Sequence, residues 1–190
     1  MNLPKHYLIT PVPENDTAFL CKLEISLNAG IRLMQLRAKN LDPSAYIQLA
    51  KKVIALAREY HCKILLNADP GLAQELGADG VHLDSQRLQE CDSRPLPESF
   101  MVAASGHSLS ELLQAQSIGA SFALLSPVKY TTSHPDTKPL GWEKFAEMVT
   151  QVEIPVYALG GVSAADESDA LNAGAQGLAG IRGYWNLDQI

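Results

Sequence analysis

Cysteine, excess positive charge and long apolar runs are all scarce in this sequence. Its 190 residues include three widely spaced cysteines, Cys21, Cys62 and Cys91, with no CxxC pair, so we expect buried free thiols rather than a disulfide framework. The net charge of −6 argues against binding to nucleic acid or an anionic membrane through general charge attraction. No apolar run approaches transmembrane length, and the first residues lack a signal-peptide pattern. We therefore expect a cytoplasmic protein.

One short phrase recurs along the chain. It reads NAGIRLMQL at 28–36, LGADGVHL at 76–83, IGASFALL at 118–125 and AGAQGLAGI at 173–181. An amphipathic pattern precedes each phrase, and its glycine suits the left-handed residue that follows a helix. The apolar run after the glycine is typical of a parallel strand that is buried on both faces. The repeat therefore predicts alternating helices and strands.

The full pattern predicts eight strands and seven helices before a short final segment. We expect the strands near 6–10, 32–37, 63–67, 79–83, 100–105, 121–126, 154–159 and 176–180, and the helices near 15–29, 43–60, 70–76, 86–91, 108–118, 141–151 and 164–173. Eight βα units favour a compact (β/α)8 TIM barrel with a reduced last helix, in one domain over 1–190. The alternative is an open doubly wound sheet, but no GxGxxG turn follows the first strand.

In such a barrel, the residues that end the strands form the active site. Here they are mostly hydroxyl, amide and cationic side chains, which suit an anionic substrate in an otherwise acidic chain. The candidates are Gln35, Arg37, Lys39, Asn67, Asp69, His82, Asp84, Ser105, His107, Thr131, Ser133, His134, Gly160, Gly161, Gly180, Ile181 and Arg182.

Two glycine turns near the end of the chain indicate a phosphate site. Gly160 and Gly161 follow the seventh predicted strand, and a helix start at Ser163 would add free amides. Gly180 ends the eighth strand, and the loops after strands 7 and 8 form a common phosphate site in barrels. A plain tight turn is the alternative for the glycine pair.

The charged candidates also have structural alternatives. Arg37 could bind an anionic ligand or pair with a carboxylate on the rim. Lys39 could bind the ligand or extend into solvent as an ordinary loop lysine. His107 suits a general acid or base or an ordinary loop histidine, whereas His82 is more typical of a hydrogen-bonded strand residue.

Several stretches together resemble the thiamine phosphate synthase and TenI superfamily. They are MQLRAK, LLNADPGLAQELGADGVHLDSQ, AASGHSLSEL, SPVKYTTSHP and PVYALGGV, which follow one another in the family's order over nearly the whole chain. The resemblance implies a barrel that joins an aminopyrimidine methyl diphosphate to a thiazole phosphate, with release of diphosphate aided by Mg²⁺.

Carried over by position, the resemblance divides the candidate residues between two ligands. Arg37, Lys39, Asn67 and Ser105 would hold the diphosphate end, with His134 where the family has lysine. The thiazole phosphate would be held by Gln35, Thr131, Ser133, Gly161 and the backbone at Gly180 and Ile181. The hypothesis gives catalytic roles to His107, Arg37 and Lys39.

The sequence departs from the family at the metal site. The two carboxylates that would hold Mg²⁺ fall at Ala68 and Arg87, so Asp69 and Asp84 are the substitute metal ligands to consider. Loss of that site suggests two alternatives to the synthase. One is a TenI-like thiazole tautomerase with His107 as the acid or base, and the other is a non-catalytic domain that binds phosphorylated ligands.

The stretch from SPV to AGIRGYW also looks like the synthase-like domain that is fused to MutT-type Nudix hydrolases. No Nudix box occurs in the sequence. The resemblance therefore suggests a Nudix partner or fusion, and we also expect a homo-oligomer.

Overall fold

The protein folds as a closed barrel of eight parallel strands. The computed structural model describes residues 2–131 and 137–185. Neighbouring strands pair in sequence order, and β1 closes the barrel on β8. The strands are β1 His6–Ile9, β2 Leu33–Leu36, β3 Lys63–Leu66, β4 Gly80–Leu83, β5 Met101–Gly106, β6 Phe122–Leu125, β7 Val156–Ala158 and β8 Gly177–Gly180. The predicted TIM barrel is confirmed, and the open sheet is wrong.

Helices cover the outside of the barrel and follow each strand. Their capping chemistry is local: Asp42 accepts from the amides of Ser44 and Ala45 ahead of α2, and Ser108 accepts from the amide of Glu111 in α5. The helices are α1 Asp16–Asn28, α2 Pro43–Glu59, α3 Pro70–Glu75, α4 Ser85–Gln89, α5 Leu109–Ser117, α6 Gly141–Val149, α7 Glu167–Asn172 and α8 Arg182–Trp185.

Two apolar cores result from the alternation of side chains along the strands. One lies between the strands and the helices, and includes Leu36, Val53 and Phe145. The other fills the barrel itself, where Tyr7, Phe122 and Tyr157 are fully buried. A parallel strand that is covered on both faces needs apolar residues at successive positions, which explains its continuous apolar runs.

Two expectations about local structure are wrong. Cys21 is exposed on α1, whereas Cys62 is buried and Cys91 is half-buried. The predicted helix over 164–173 divides into a 3₁₀ turn, Ala164–Asp166, and the short α7. The Asp166 carboxylate accepts the amide of Ser163 at 2.9 Å, which tightens the first turn. Within the described ranges, no helix is both long and apolar enough to cross a bilayer.

Candidate active site

The inward-facing side chains of the strands change from apolar to polar toward one end of the barrel. On β2, Leu33 is followed two residues later by Gln35 and then by Arg37. On β5, Met101 and Ala103 belong to the inner core, whereas Ser105 lines an open cavity. Because alternate residues of a strand face the same side, the polar ends of all strands meet at the C-terminal mouth.

The mouth contains a main cavity of about 550 Å³. Most of the candidate residues line it: Gln35, Arg37, Lys39, Asn67, Asp84, Ser105, His107, Thr131, Gly160 and Ile181. Gln35 is 1% exposed, and its amide oxygen lies 3.4 Å from the side-chain nitrogen of Asn67. Arg37 forms no ion pair with a described residue, and its backbone amide donates to Thr10 at 2.9 Å. The cavity therefore has a cationic wall.

His82 lies beneath this cavity and is fully buried. Its Nδ1 is 3.1 Å from the Tyr7 hydroxyl, and its Nε2 is 2.8 Å from the Ser105 hydroxyl. Burial lowers the pKa of His82 to about 3, despite the nearby Asp84. The prediction that His82 is a hydrogen-bonded strand residue is confirmed, and its neutral ring positions Ser105.

His107 is held at the rim of the main cavity by two elements. Its amide donates to the Glu111 carboxylate at 2.7 Å, and its Nδ1 lies 2.9 Å from the backbone oxygen of Ser126. A carbonyl oxygen only accepts, so the proton is on Nδ1 and the Nε2 lone pair can accept a proton. This geometry is compatible with an acid–base role.

A second cavity, of about 330 Å³, adjoins the main one at the ends of β7 and β8. We call it the glycine cavity, because its walls include Gly160, Gly161, Gly180 and Gly183, together with Thr131, Ile181 and Arg182. Among the described residues, no acceptor receives the amides of Gly161 and Val162. Available amides beside a guanidinium and a hydroxyl suit a phosphate group.

At the helix start predicted to offer free amides to an anion, the amide of Ser163 itself already has an acceptor. The Asp166 carboxylate already accepts that amide, and Lys129 pairs with Asp166. Burial raises the pKa of Asp166, but the hydrogen bonds from Lys129 and Ser163 outweigh it and lower the pKa below its ordinary value. The amides of the preceding glycine turn remain the anion donors on this side.

The Asp84 carboxylate stands between two cations at the opposite side of the main cavity. Its Oδ2 lies 2.8 Å from Lys39 Nζ and 3.5 Å from Arg87 Nη1, and its Oδ1 accepts the Arg87 amide at 3.2 Å. Burial raises the pKa of Asp84, but the hydrogen bonds from Lys39 and the Arg87 amide and both positive charges lower it overall.

The side chains on this rim do not fit a magnesium site. Mg²⁺ is usually bound by one or two carboxylates together with substrate phosphates and water. Asp84 is the one carboxylate among the described residues that line the main cavity, and two cations already contact it. Asp69 is exposed and caps α3 by accepting the Leu72 amide at 3.2 Å. Within the described part of the chain, no three His, Cys, Asp or Glu residues are grouped to share a metal.

Comparison with known proteins agrees with the barrel fold. The family model described as thiamine monophosphate synthase matches residues 6–184. The chain belongs to the thiamine monophosphate synthase family. Its similarity to family members extends over almost its whole length. It is 39% identical over 181 residues to a putative thiamine-phosphate synthase 2 of Aquifex aeolicus, covering 95% of this chain and 97% of that protein.

Two further relatives support the same family. A thiamine-phosphate synthase of Lysinibacillus sphaericus is 34% identical over 176 residues, covering 90% of this chain and 83% of that protein. The solved thiamine phosphate pyrophosphorylase of Pyrococcus furiosus superposes with a TM-score of 0.75 at 27% identity, covering 93% of this chain and 85% of that one.

The sequence did not predict every residue that lines the site of this thiamine monophosphate synthase family member. Thr131 lines both cavities, whereas Ser133 and His134 lie outside the described residues. Arg182, a strand-end candidate, lines the glycine cavity, whereas Ser126 lines the main cavity and was not a candidate. The signal for Arg182 was its position two residues after Gly180, which ends β8. Ser126 gave none, because its carbonyl contact with His107 joins residues that are 19 positions apart.

Proposed function

We propose that this protein is a thiamine-phosphate synthase that joins aminopyrimidine methyl diphosphate to thiazole phosphate. The C–O bond between the pyrimidine methylene carbon and the diphosphate breaks, and its electron pair leaves with diphosphate. The lone pair of the thiazole nitrogen then forms the new C–N bond. The names of the relatives and the two adjoining anion-binding cavities support this proposal.

One observation carries the proposal: the main cavity and the glycine cavity share a wall. Thr131, Leu159, Gly160 and Ile181 line both. A ligand whose phosphate occupies the glycine cavity would therefore extend its other end into the main cavity. Two ligands held on a rigid barrel in this way react with a large gain in effective concentration.

The glycine cavity would hold the thiazole phosphate. The amides of Gly161 and Val162, the hydroxyl of Thr131 and the guanidinium of Arg182 would donate to its oxygens. Gly180 and Ile181 would contribute backbone to the same cavity, and Ser133 stays a predicted ligand. The Gln35 amide, buried at the cavity floor, would orient the thiazole ring.

The cationic wall of the main cavity would hold the diphosphate. Arg37 and Lys39 carry full positive charges at this wall, and Asn67 and Ser105 add neutral donors. Charge that develops on a leaving group is stabilised most by donors that are already in position. His134 stays a prediction for this end of the site.

The test is direct synthesis of thiamine phosphate from the two substrates by the purified protein. Arg37→Ala should lower kcat/KM by about a hundredfold or more, because a donor to the leaving group is lost. Lys52→Ala is the control, since it also removes one positive charge, but Lys52 lies on α2 outside the barrel and pairs with Asp16. Absence of product from the wild-type protein, with or without Mg²⁺, would refute the proposal.

His107 favours a second candidate function, the TenI-like tautomerisation of a thiazole carboxylate phosphate. That reaction moves a proton, and His107 presents a nitrogen lone pair at the rim of the main cavity. His107→Asn should stop solvent deuterium exchange into the thiazole, whereas His61→Asn should not, since His61 lies in an exposed turn outside both cavities. Equal exchange rates would remove His107 from the reaction. Binding of thiazole phosphate without either reaction would instead favour a ligand-binding domain.

We also propose that the protein acts in the cytoplasm and forms a homo-oligomer, and that a Nudix hydrolase is its partner or fused neighbour. These proposals rest on composition and on the family resemblance alone. Light scattering of the purified chain tests the oligomer, and co-purification from the native host tests the partner.

A further inference from the structure

A side cavity of about 380 Å³ opens next to the main cavity on the rim formed after β2, β3 and β4. Lys39, Asn67 and Asp84 line both cavities, so the two share a wall. The side cavity is also lined by Arg87, and by Tyr46, Ala68 and Asp69. Arg87 contacts two residues of this shared wall, Asn67 and Asp84.

Arg87 is held in place by contacts that occupy only part of its guanidinium. Its Nη1 lies 3.3 Å from the Asn67 side-chain oxygen and 3.5 Å from Asp84 Oδ2. Within the described residues, the other guanidinium nitrogens have no acceptor. A guanidinium has five N–H donors in a planar fork that matches the oxygens of a phosphate. The contacts of Nη1 thus orient the Arg87 side chain, and the N–H groups of its other guanidinium nitrogens can donate to an anion.

The charge on this rim favours an anion over a divalent cation. Asp84 is shared between Lys39 and Arg87, and Arg37 lines the adjoining main cavity. Asp69 is the other carboxylate at the side cavity, so three cations face two carboxylates. A divalent cation would have to displace an ammonium and a guanidinium from Asp84. An anion would meet both cations without displacing either.

We propose that Arg87, with Lys39 and Arg37, forms a metal-independent binding site for the diphosphate group. This proposal rests on the proposed synthase function for its place in the reaction. As the C–O bond to the diphosphate breaks, the leaving oxygen gains negative charge, and the guanidinium and ammonium compensate it. The step needs no further reactant. Arg87 thereby supplies charge at a position where the family resemblance implies a carboxylate that binds magnesium.

Calorimetric titration of inorganic diphosphate into the protein in EDTA tests the binding site. Arg87→Gln retains a donor amide without the charge and should weaken binding roughly ten- to a hundredfold, as expected for a lost charge-assisted hydrogen bond. Lys39→Ala should weaken it similarly, and the matched control Lys52→Ala should not. Binding of diphosphate only after Mg²⁺ is added, or equal affinity of Arg87→Gln and wild type, would overturn the proposal.

Synthesis assays separate this proposal from the proposed function. Thiamine phosphate should form in EDTA, and Arg87→Gln should reduce that metal-free rate. Product that forms only with Mg²⁺ would leave the synthase standing and overturn the Arg87 site. No product under any condition would refute the synthase, and the calorimetric result would still decide whether Arg87 binds diphosphate. Retained binding of inorganic phosphate by Arg87→Gln checks that the variant is folded.

Discussion

His82 shows how a single buried side chain connects the core of the barrel to its mouth. Its two ring nitrogens lie against the hydroxyls of Tyr7 and Ser105, and none of its surface is exposed. The neutral ring gives a hydrogen-bond partner to the buried Tyr7 hydroxyl and to the Ser105 hydroxyl at the cavity wall. A charged ring would have to remain in an apolar interior, which explains why its pKa falls to about 3.

This burial predicts a loss of stability at mildly acidic pH. Between an unfolded pKa near 6.5 and the folded value of about 3, the unfolded histidine binds a proton that the folded one does not. The free energy of unfolding therefore falls as pH decreases below 6.5, by about 2 kcal/mol at pH 5. The His82→Asn variant has no histidine at this position, so its free energy of unfolding should not fall in this way. At pH 7.5 the substitution should lower the free energy of unfolding by about 1–3 kcal/mol, because a hydroxyl loses its hydrogen-bond partner.

Urea unfolding of both proteins from pH 7.5 to pH 5 measures the difference. The gap between wild type and His82→Asn should narrow by about 2 kcal/mol over this range. Carboxylates with lowered pKa values, such as Asp84 and Asp166, lose their contributions only below about pH 4, outside this window. A gap that does not change with pH would contradict the assignment of a neutral, buried His82.

At the scale of elements, the loop after β6 and the turn after β7 form one unit. The amides of Val128 and Lys129 donate to the carbonyls of Leu159 and Gly160, each at 2.9 Å. Gly161 has φ of 68°, and a Cβ there would lie 2.2 Å from the Tyr130 carbonyl oxygen. A side chain at this position would force the two segments apart, so the glycine is required both for its conformation and for close packing.

Gly161→Ala should therefore distort the backbone of the glycine cavity, in addition to the strain of a left-handed alanine. Gly119→Ala is the control, since Gly119 has φ of 73° but its Cβ would approach Arg94 only to 3.7 Å. Each substitution should cost about 1–2 kcal/mol from the left-handed backbone. Only Gly161→Ala should also weaken binding of thiazole phosphate, by about tenfold or more, because donor amides move. Calorimetry on both variants measures this, and equal affinities would contradict the assigned phosphate site.

At the scale of the whole molecule, an aromatic cluster fills the barrel below the site. Phe122 packs at 5.2 Å from the ring of Tyr7 and 5.3 Å from that of Tyr157, with nearly perpendicular or steeply inclined planes. The three rings come from β1, β6 and β7 and connect these strands across the interior of the barrel. Edge-to-face packing of this kind adds to the free energy gained from burial.

Removal of the central ring should destabilise the whole barrel. Phe122→Ala should lower the free energy of unfolding by about 3–5 kcal/mol, because a cavity remains inside a closed sheet that cannot collapse around it. Leu113→Ala is the surface control, since Leu113 is 43% exposed on α5 and should change stability by less than about 0.5 kcal/mol. Urea unfolding measures both. A loss below about 1 kcal/mol for Phe122→Ala would show that the interior repacks.

The order of elements and most of the site followed from local signals. The apolar runs predicted all eight strands, and Asp42 and Ser108 marked helix starts that the structure confirms. Capping and side-chain periodicity act over a few residues, so they can be read without the fold. Because parallel strands align their carboxyl ends, the residues after each strand could be assigned to one mouth.

The sequence by itself therefore determined the barrel, its polar mouth and its cationic and glycine-rich walls. Only the tertiary structure decided which distant groups meet: Lys39 contacts Asp84, and His107 contacts the Ser126 carbonyl. Both contacts depend on strand register and on the closure of the sheet. Such pairings need a distance and an orientation in space, and neither is encoded in the spacing of residues along the chain.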